Sequence, residues 1–157
     1  MKVGSDVPFF IKNKTARVGG KGNKVELVEN NLKDSLILVK PLGFGVSTKD
    51  AYNSFDELDE VRYANFEKIV ECLRNDNRKD LEKYIENGLE QGISERNADI
   101  KMFKAILNSV VPGKKFFMSG SGSTYYTFVT EIERSQIETR LRTFVDNVKI
   151  IISKTIN

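Results

Sequence analysis

The run LILVKP at residues 36–41 constrains the fold more than any other stretch of the chain. Large aliphatic residues fill positions 36–39 without interruption and Pro41 closes the run, which is the pattern of a buried strand. A buried strand must be covered by other layers. The residues after Pro41 supply them. Past the loop LGFGV a short helix begins, capped by Ser47 or Thr48. Tyr63, Phe66, Val70 and Leu73 share one face of a helix predicted over residues 62–74. A second helix runs through Leu81, Ile85 and Leu89. A third carries Ile100, Phe103, Leu107 and Val110 and stops at Pro112-Gly113. In KKFFMSGSGSTYYTFV two strand-like apolar runs flank Gly120 and Gly122. Ile137, Leu141 and Phe144 then mark a fourth helix over about residues 131–145, and VKIIIS closes the chain as a strand. The order implies an α+β fold, a mixed or antiparallel sheet with helices packed on one face.

Ahead of this domain the pattern changes. VPFFIK (residues 7–12) is predicted as a short strand, because Val7 precedes a proline and three bulky apolar residues come after it. NKTARVGGKGNKVELV continues as turn, strand, glycine-rich turn and strand. Residues 1–33 are therefore expected to form a small β-meander and residues 34–157 the main domain.

Composition narrows the chemistry. At 157 residues the chain has the size of one domain. It contains no histidine and a single cysteine, Cys72, which excludes an internal disulfide framework and leaves no ordinary zinc ligand set. Acid or base catalysis must then come from Asp, Glu, Lys or Tyr. Cys72 itself sits in a helix-like run, read as a small, partly buried hydrophobe. The 25 basic and 22 acidic residues are interspersed, so there is no nucleic-acid stripe, and the net charge of +3 favours small anionic ligands. No apolar run reaches the roughly 20 residues of a membrane span, and the first 20 residues show no signal-type core. The expectation is a cytoplasmic protein without a membrane partner.

Four constellations could carry function. Asp6, in GSDVPFF, is read either as a turn residue bonding local amides or as a positioned general base. A helix cap is not expected there, since no helical pattern comes after it. MSGSGST (residues 118–124) is read either as a tight hairpin whose glycines supply positive φ or as a nest of amides that holds a phosphate. Thr48 and Tyr52 lie four apart on one helical face, as cap and core aromatic or as a pair that positions and stacks on a base. NGLE (residues 87–90) is read as a helix interrupted by glycine.

In their order along the chain, GSDVPFF, ARVGGKG, LILVKPLGFGVSTKDAYNSFD, IENGLE and FFMSGSGSTYYTFV resemble the 4-diphosphocytidyl-2-C-methyl-D-erythritol kinases, a branch of the GHMP small-molecule kinases. The resemblance covers the whole chain but only the latter half of such an enzyme. It implies a ferredoxin-like C-terminal domain preceded by a piece of the N-terminal lobe, and phosphorylation of a small cytidine diphosphate substrate by ATP with Mg2+. The family's glycine-rich ATP loop has no counterpart in these residues. By the same resemblance Asp6 is the base acting on the substrate hydroxyl, Thr48 and Tyr52 bind the cytosine, and Gly120, Ser121 and Gly122 form the small-residue loop at the rear of the site. The pattern departs at Asn23, where the family has glutamate, at Gly88, where it has aspartate, and in the missing proline after Glu90. The chain alone is expected to be inactive, and its exposed strand edges to pair with a missing lobe or with a second copy as a homodimer. The alternative is a non-catalytic module for small-ligand binding or association.

Overall fold

In the computed structural model, which describes residues 4–155, the elements in chain order are α1 (Val7–Lys12), β1 (Ala16–Gly19), β2 (Lys24–Leu27), β3 (Ser35–Pro41), α2 (Thr48–Asp56), α3 (Phe66–Arg74), α4 (Arg78–Tyr84), α5 (Gly88–Arg96), α6 (Ala98–Val110), β4 (Phe117–Met118), β5 (Tyr125–Val129), α7 (Glu131–Phe144) and β6 (Val148–Lys154). They fall into two compact units. One contains residues up to 33 together with 65–84 and Thr155; the other contains 34–64 and 85–154.

The larger unit is built on LILVKP. β3 lies inside a four-stranded sheet of order β4-β5-β3-β6, with every pairing antiparallel. Strand, helices, two strands, helix and strand in this order give the ferredoxin-like arrangement. Alternate residues of β3 and β5 point to one face: Ile37, Val39, Tyr125 and Val129 are buried there against Ile100, Phe103 and Leu107 of α6 and Ile137 and Leu141 of α7. Each such side chain contributes on the order of 1.5–3 kcal/mol by leaving water. Phe117, Tyr126 and Phe128 occupy the other face and touch edge to face or tilted, with ring centres 5.6–6.3 Å apart. Helix α7 starts on a capping box: Thr130 Oγ1 accepts the Glu133 amide, and Glu133 accepts the Thr130 amide.

The smaller unit corrects the β-meander. VPFFIK is a helix, not a strand. Proline is tolerated in the first helical turn because its missing N–H would have no helical partner there, and its fixed φ suits the helix. Asn13, at φ 47°, ends the helix by donating its amide to the Phe9 carbonyl. Only β1 and β2 remain of the expected strands, as a hairpin with Ala16 opposite Leu27 and Gly19 opposite Lys24. Helices α3 and α4 belong to the same unit, where the Arg17 guanidinium lies 4.2 Å from the centre of the Phe66 ring.

Three helix predictions need adjustment. Tyr63 is 80% exposed and precedes α3, which starts one residue after its cap Asn65. The helix predicted through Leu81, Ile85 and Leu89 is two helices, because Asn87 caps a new one. Phe144 ends α7 exposed, while Ile137 and Leu141 are buried as expected. Of the two candidate caps for α2, Ser47 is the one used.

Candidate functional site

Helix α5 is the platform on which the candidate site is assembled. Helix α2 lies on it so closely that a Cβ at Gly92 would stand 2.6 Å from the backbone of Ser54 and Phe55. One turn earlier, a Cβ at Gly88 would meet the Phe55 ring at 2.6 Å. Glycine at both positions is what lets the two helices approach. At residue 88 the ring of Phe55 occupies the space that a side chain would need. Ala51 and Ser54 are the buried residues of α2, so Thr48 and Tyr52 are left on its outer side, with Tyr52 55% exposed.

The loop MSGSGST joins β4 to β5 as a hairpin. The Ser119 amide bonds the Thr124 carbonyl, the Gly122 amide bonds the Ser119 carbonyl, and Gly120 and Gly122 sit at φ 56° and 89°. The positive φ of Gly122 favours glycine, and a Cβ there would also press on the Met118 sulfur at 2.7 Å. The loop reaches back to α2: Ser121 Oγ lies 3.1 Å from Thr48 Oγ1. Two of the constellations named from the sequence are thus joined in one place, an exposed surface presenting two hydroxyls and the ring of Tyr52.

Asn87 and Glu90, which the sequence presents only as part of an interrupted helix, hold this loop in position. Asn87 Oδ1 accepts the Glu90 amide and caps α5, while its Nδ2 donates to the carbonyls of Met118 and Gly120 at 2.8 and 2.9 Å. Glu90 is 8% exposed; its carboxylate accepts the Met118 amide at 3.2 Å and pairs with Lys104 at 2.6 Å. Behind it lies Tyr125, fully buried, whose ionisation is driven far up by burial and then by the charge of Glu90. It is a neutral core phenol. Asn three residues before Glu is a legible helix start, and that signal could have marked the residues as more than filler.

Asp6 lies in the smaller unit. It occupies the N-cap position of α1 after all, but its side chain makes no cap bond and instead accepts from Ser5 Oγ at 3.1 Å. Its carboxylate is exposed. The glycine-rich turn of the β1–β2 hairpin rests on the residue before it, since a Cβ at Gly22 would collide with the Ser5 carbonyl. Asn23 closes that same turn by accepting the Lys21 amide at 3.0 Å. Among the described residues no group of three or more Cys, Asp or Glu side chains is placed to hold a metal ion, and no helix is long and apolar enough to cross a membrane.

No protein-family model matches the chain. Its fold is that of the GHMP small-molecule kinases. It superposes with a TM-score of 0.75 on a crystal structure of 4-(cytidine 5'-diphospho)-2C-methyl-D-erythritol kinase, at 21% identity, covering 99% of this chain and 55% of that one. A homoserine kinase from Cytophaga hutchinsonii gives 0.63 at 17% identity, covering 85% and 45%. In sequence the chain is 76% identical, over all 157 residues, to the 4-diphosphocytidyl-2-C-methyl-D-erythritol kinase of Fusobacterium nucleatum subsp. nucleatum, of which it covers 53%. It is 32% identical over 143 residues to the kinase of the same name from Clostridium botulinum (strain Kyoto / Type A2), covering 48% of it. The chain spans about half the length of the curated relatives it matches. It is a homologue of that half of a 4-diphosphocytidyl-2-C-methyl-D-erythritol kinase.

Proposed function

We propose that the chain is the C-terminal half of a cytoplasmic kinase that phosphorylates the 2-hydroxyl of 4-diphosphocytidyl-2-C-methyl-D-erythritol with ATP. The observation that carries this reading is the 76% identity, over all 157 residues of the chain, to a kinase of that name. In it, Tyr52 stacks on the cytosine, Thr48 fixes the base, and Gly120, Ser121 and Gly122 face the diphosphate. Asp6 takes the proton from the attacking hydroxyl. An exposed carboxylate on a helix start suits this work, because phosphoryl transfer depends mainly on positioning and charge stabilisation.

Among the described residues no three Cys, Asp or Glu side chains converge as a metal site, and a Mg2+ ion that bridges phosphates needs only one or two carboxylates from the protein. ATP use accords with the kinase class. The first 33 residues, with exposed Phe10, Ile11 and Leu27, are the part that would complete a second lobe or pair with another copy.

A titration with CMP tests the reading. Perturbation of the Tyr52 ring resonances, lost in Tyr52→Ala, is the expected result, together with negligible ATP turnover by the chain alone. Asp6-dependent turnover by the isolated chain would sink the half-enzyme reading. Silence of Tyr52 at millimolar CMP would instead leave a module for association.

A further inference from the structure

We infer that Asn87 is a positioning residue that locks the Gly120–Ser121 peptide so that the loop presents an N–H, and not a carbonyl, to the phosphate of the nucleotide. The inference rests on the function proposed above. Its ground is the double use of one carboxamide. Capping α5 needs only an acceptor, and Ser, Thr or Asp would serve equally well. Asn87 adds two donors, and both are engaged, one by Met118 O at the end of β4 and the other by Gly120 O inside the loop.

The second bond sets the direction of a peptide. The C=O and N–H of a trans peptide point in opposite directions, so drawing Gly120 O onto Asn87 turns the Ser121 N–H away from α5. The turn bond from the Gly122 amide to the Ser119 carbonyl closes the loop around this peptide without engaging its own C=O or N–H, so among the described residues the bond from Asn87 is the one that grips the peptide itself. A released peptide can flip and put a carbonyl where the donor was. Among the described residues the Ser121 amide is not engaged by another backbone group, so it is available to an anion. Glu90 supports the arrangement from below by holding the Met118 amide, which keeps the strand end still beneath the loop.

The test compares Asn87→Asp and Asn87→Ser, both of which keep a cap acceptor but remove the two donors, using CMP and cytidine as probes. CMP affinity should fall on the order of tenfold or more, down to that of cytidine, while cytidine affinity stays close to that of the parent chain at a temperature where both variants are folded; loss of the donor to the carbonyl of buried Met118 lowers the unfolding midpoint. The Ser121 amide resonance should also shift and broaden in both variants, because its peptide is no longer held in one orientation by the bond to Gly120 O. Equal loss of CMP and cytidine, or loss of neither, overturns the inference. If the parent chain binds neither probe, the proposed function fails separately, and a Ser121 amide resonance that stays sharp and unshifted in both variants then overturns this inference on its own.

Discussion

Replacing Gly92 with alanine probes the contact on which the candidate site depends. The added methyl would stand 2.6 Å from Phe55 N, Ser54 C and Ser54 O, against an ordinary contact of 3.4–4 Å. These are backbone atoms of α2, so no side chain can turn aside. Helix α2 must retreat by about 0.8 Å, the shortfall from 3.4 Å. Forced overpacking of this kind costs about 1–3 kcal/mol. Alanine returns up to about 1 kcal/mol through its better helix propensity. With backbone atoms in the way the upper part of that overpacking range applies, about 2–3 kcal/mol, so the expected net loss is about 1–2 kcal/mol, a fall of roughly 2–8 °C in the unfolding midpoint for a domain of this size.

The retreat also has a functional reading. Thr48 rides on α2, and its 3.1 Å contact with Ser121 would lengthen toward 4 Å and break, so CMP binding should weaken along with stability. Gly45→Ala is the control, since no atom lies within 4 Å of that position. Gly88→Ala is intermediate, because the Phe55 ring can shift where backbone cannot. Thermal unfolding by circular dichroism and CMP titration of the three variants give the answer. A Gly92→Ala chain that melts at or above the parent temperature and binds CMP unchanged would refute the argument that α5 seats α2.

Two further outcomes are set by buried polar groups. Thr127 is fully buried and its hydroxyl has no hydrogen-bond partner among the described residues, so Thr127→Val should stabilise the chain by about 1 kcal/mol in urea unfolding, and a loss of stability would contradict it. Burial, and then the charge of Glu90, push the Tyr126 phenol up to about 12, so its neutral form adds stability that is complete below the unfolded-state value near 10 and is lost as pH rises through about 12; a Tyr126 ring-carbon resonance that titrates below pH 11 in the folded chain would contradict this.

The larger unit is legible in the sequence because its signals are local and redundant. Residues 36–39 are uniformly apolar, α6 and α7 carry their buried residues at helical spacing, and the glycine hairpin is flanked by aromatic strands. Each cue survives the loss of another. The smaller unit is misleading at VPFFIK because a proline preceded by valine favours two opposite readings: extended backbone before it, or the first turn of a helix at it. The choice depends on the residues beyond the proline, and Asn13, which stops the helix in the left-handed region, is a cue to which hydrophobic period is blind. Ile85 likewise falls into an apparently continuous helix, because hydrophobic spacing registers a face and misses a cap that restarts the turn.

The site is legible where residues act through their own neighbours in sequence, and illegible where they act across the fold. Thr48 with Tyr52 is a spacing, and Gly120 with Gly122 is a turn signal, so both can be named before any coordinates. Nothing in NGLE says that Asn87 will meet carbonyls 31 and 33 residues away, or that a ring from residue 55 occupies the space beside Gly88. This explains why the least informative of the four constellations controls two of the others. A glycine face that admits α2 and a carboxamide that grips the hairpin lie within the first two turns of the same helix, so the distance from Thr48 to Ser121 is set by α5 and not by either partner. Substitutions at 87, 88 and 92 should therefore couple with one another and with those at Thr48 and Ser121, although only the last two carry hydroxyls that could touch a nucleotide.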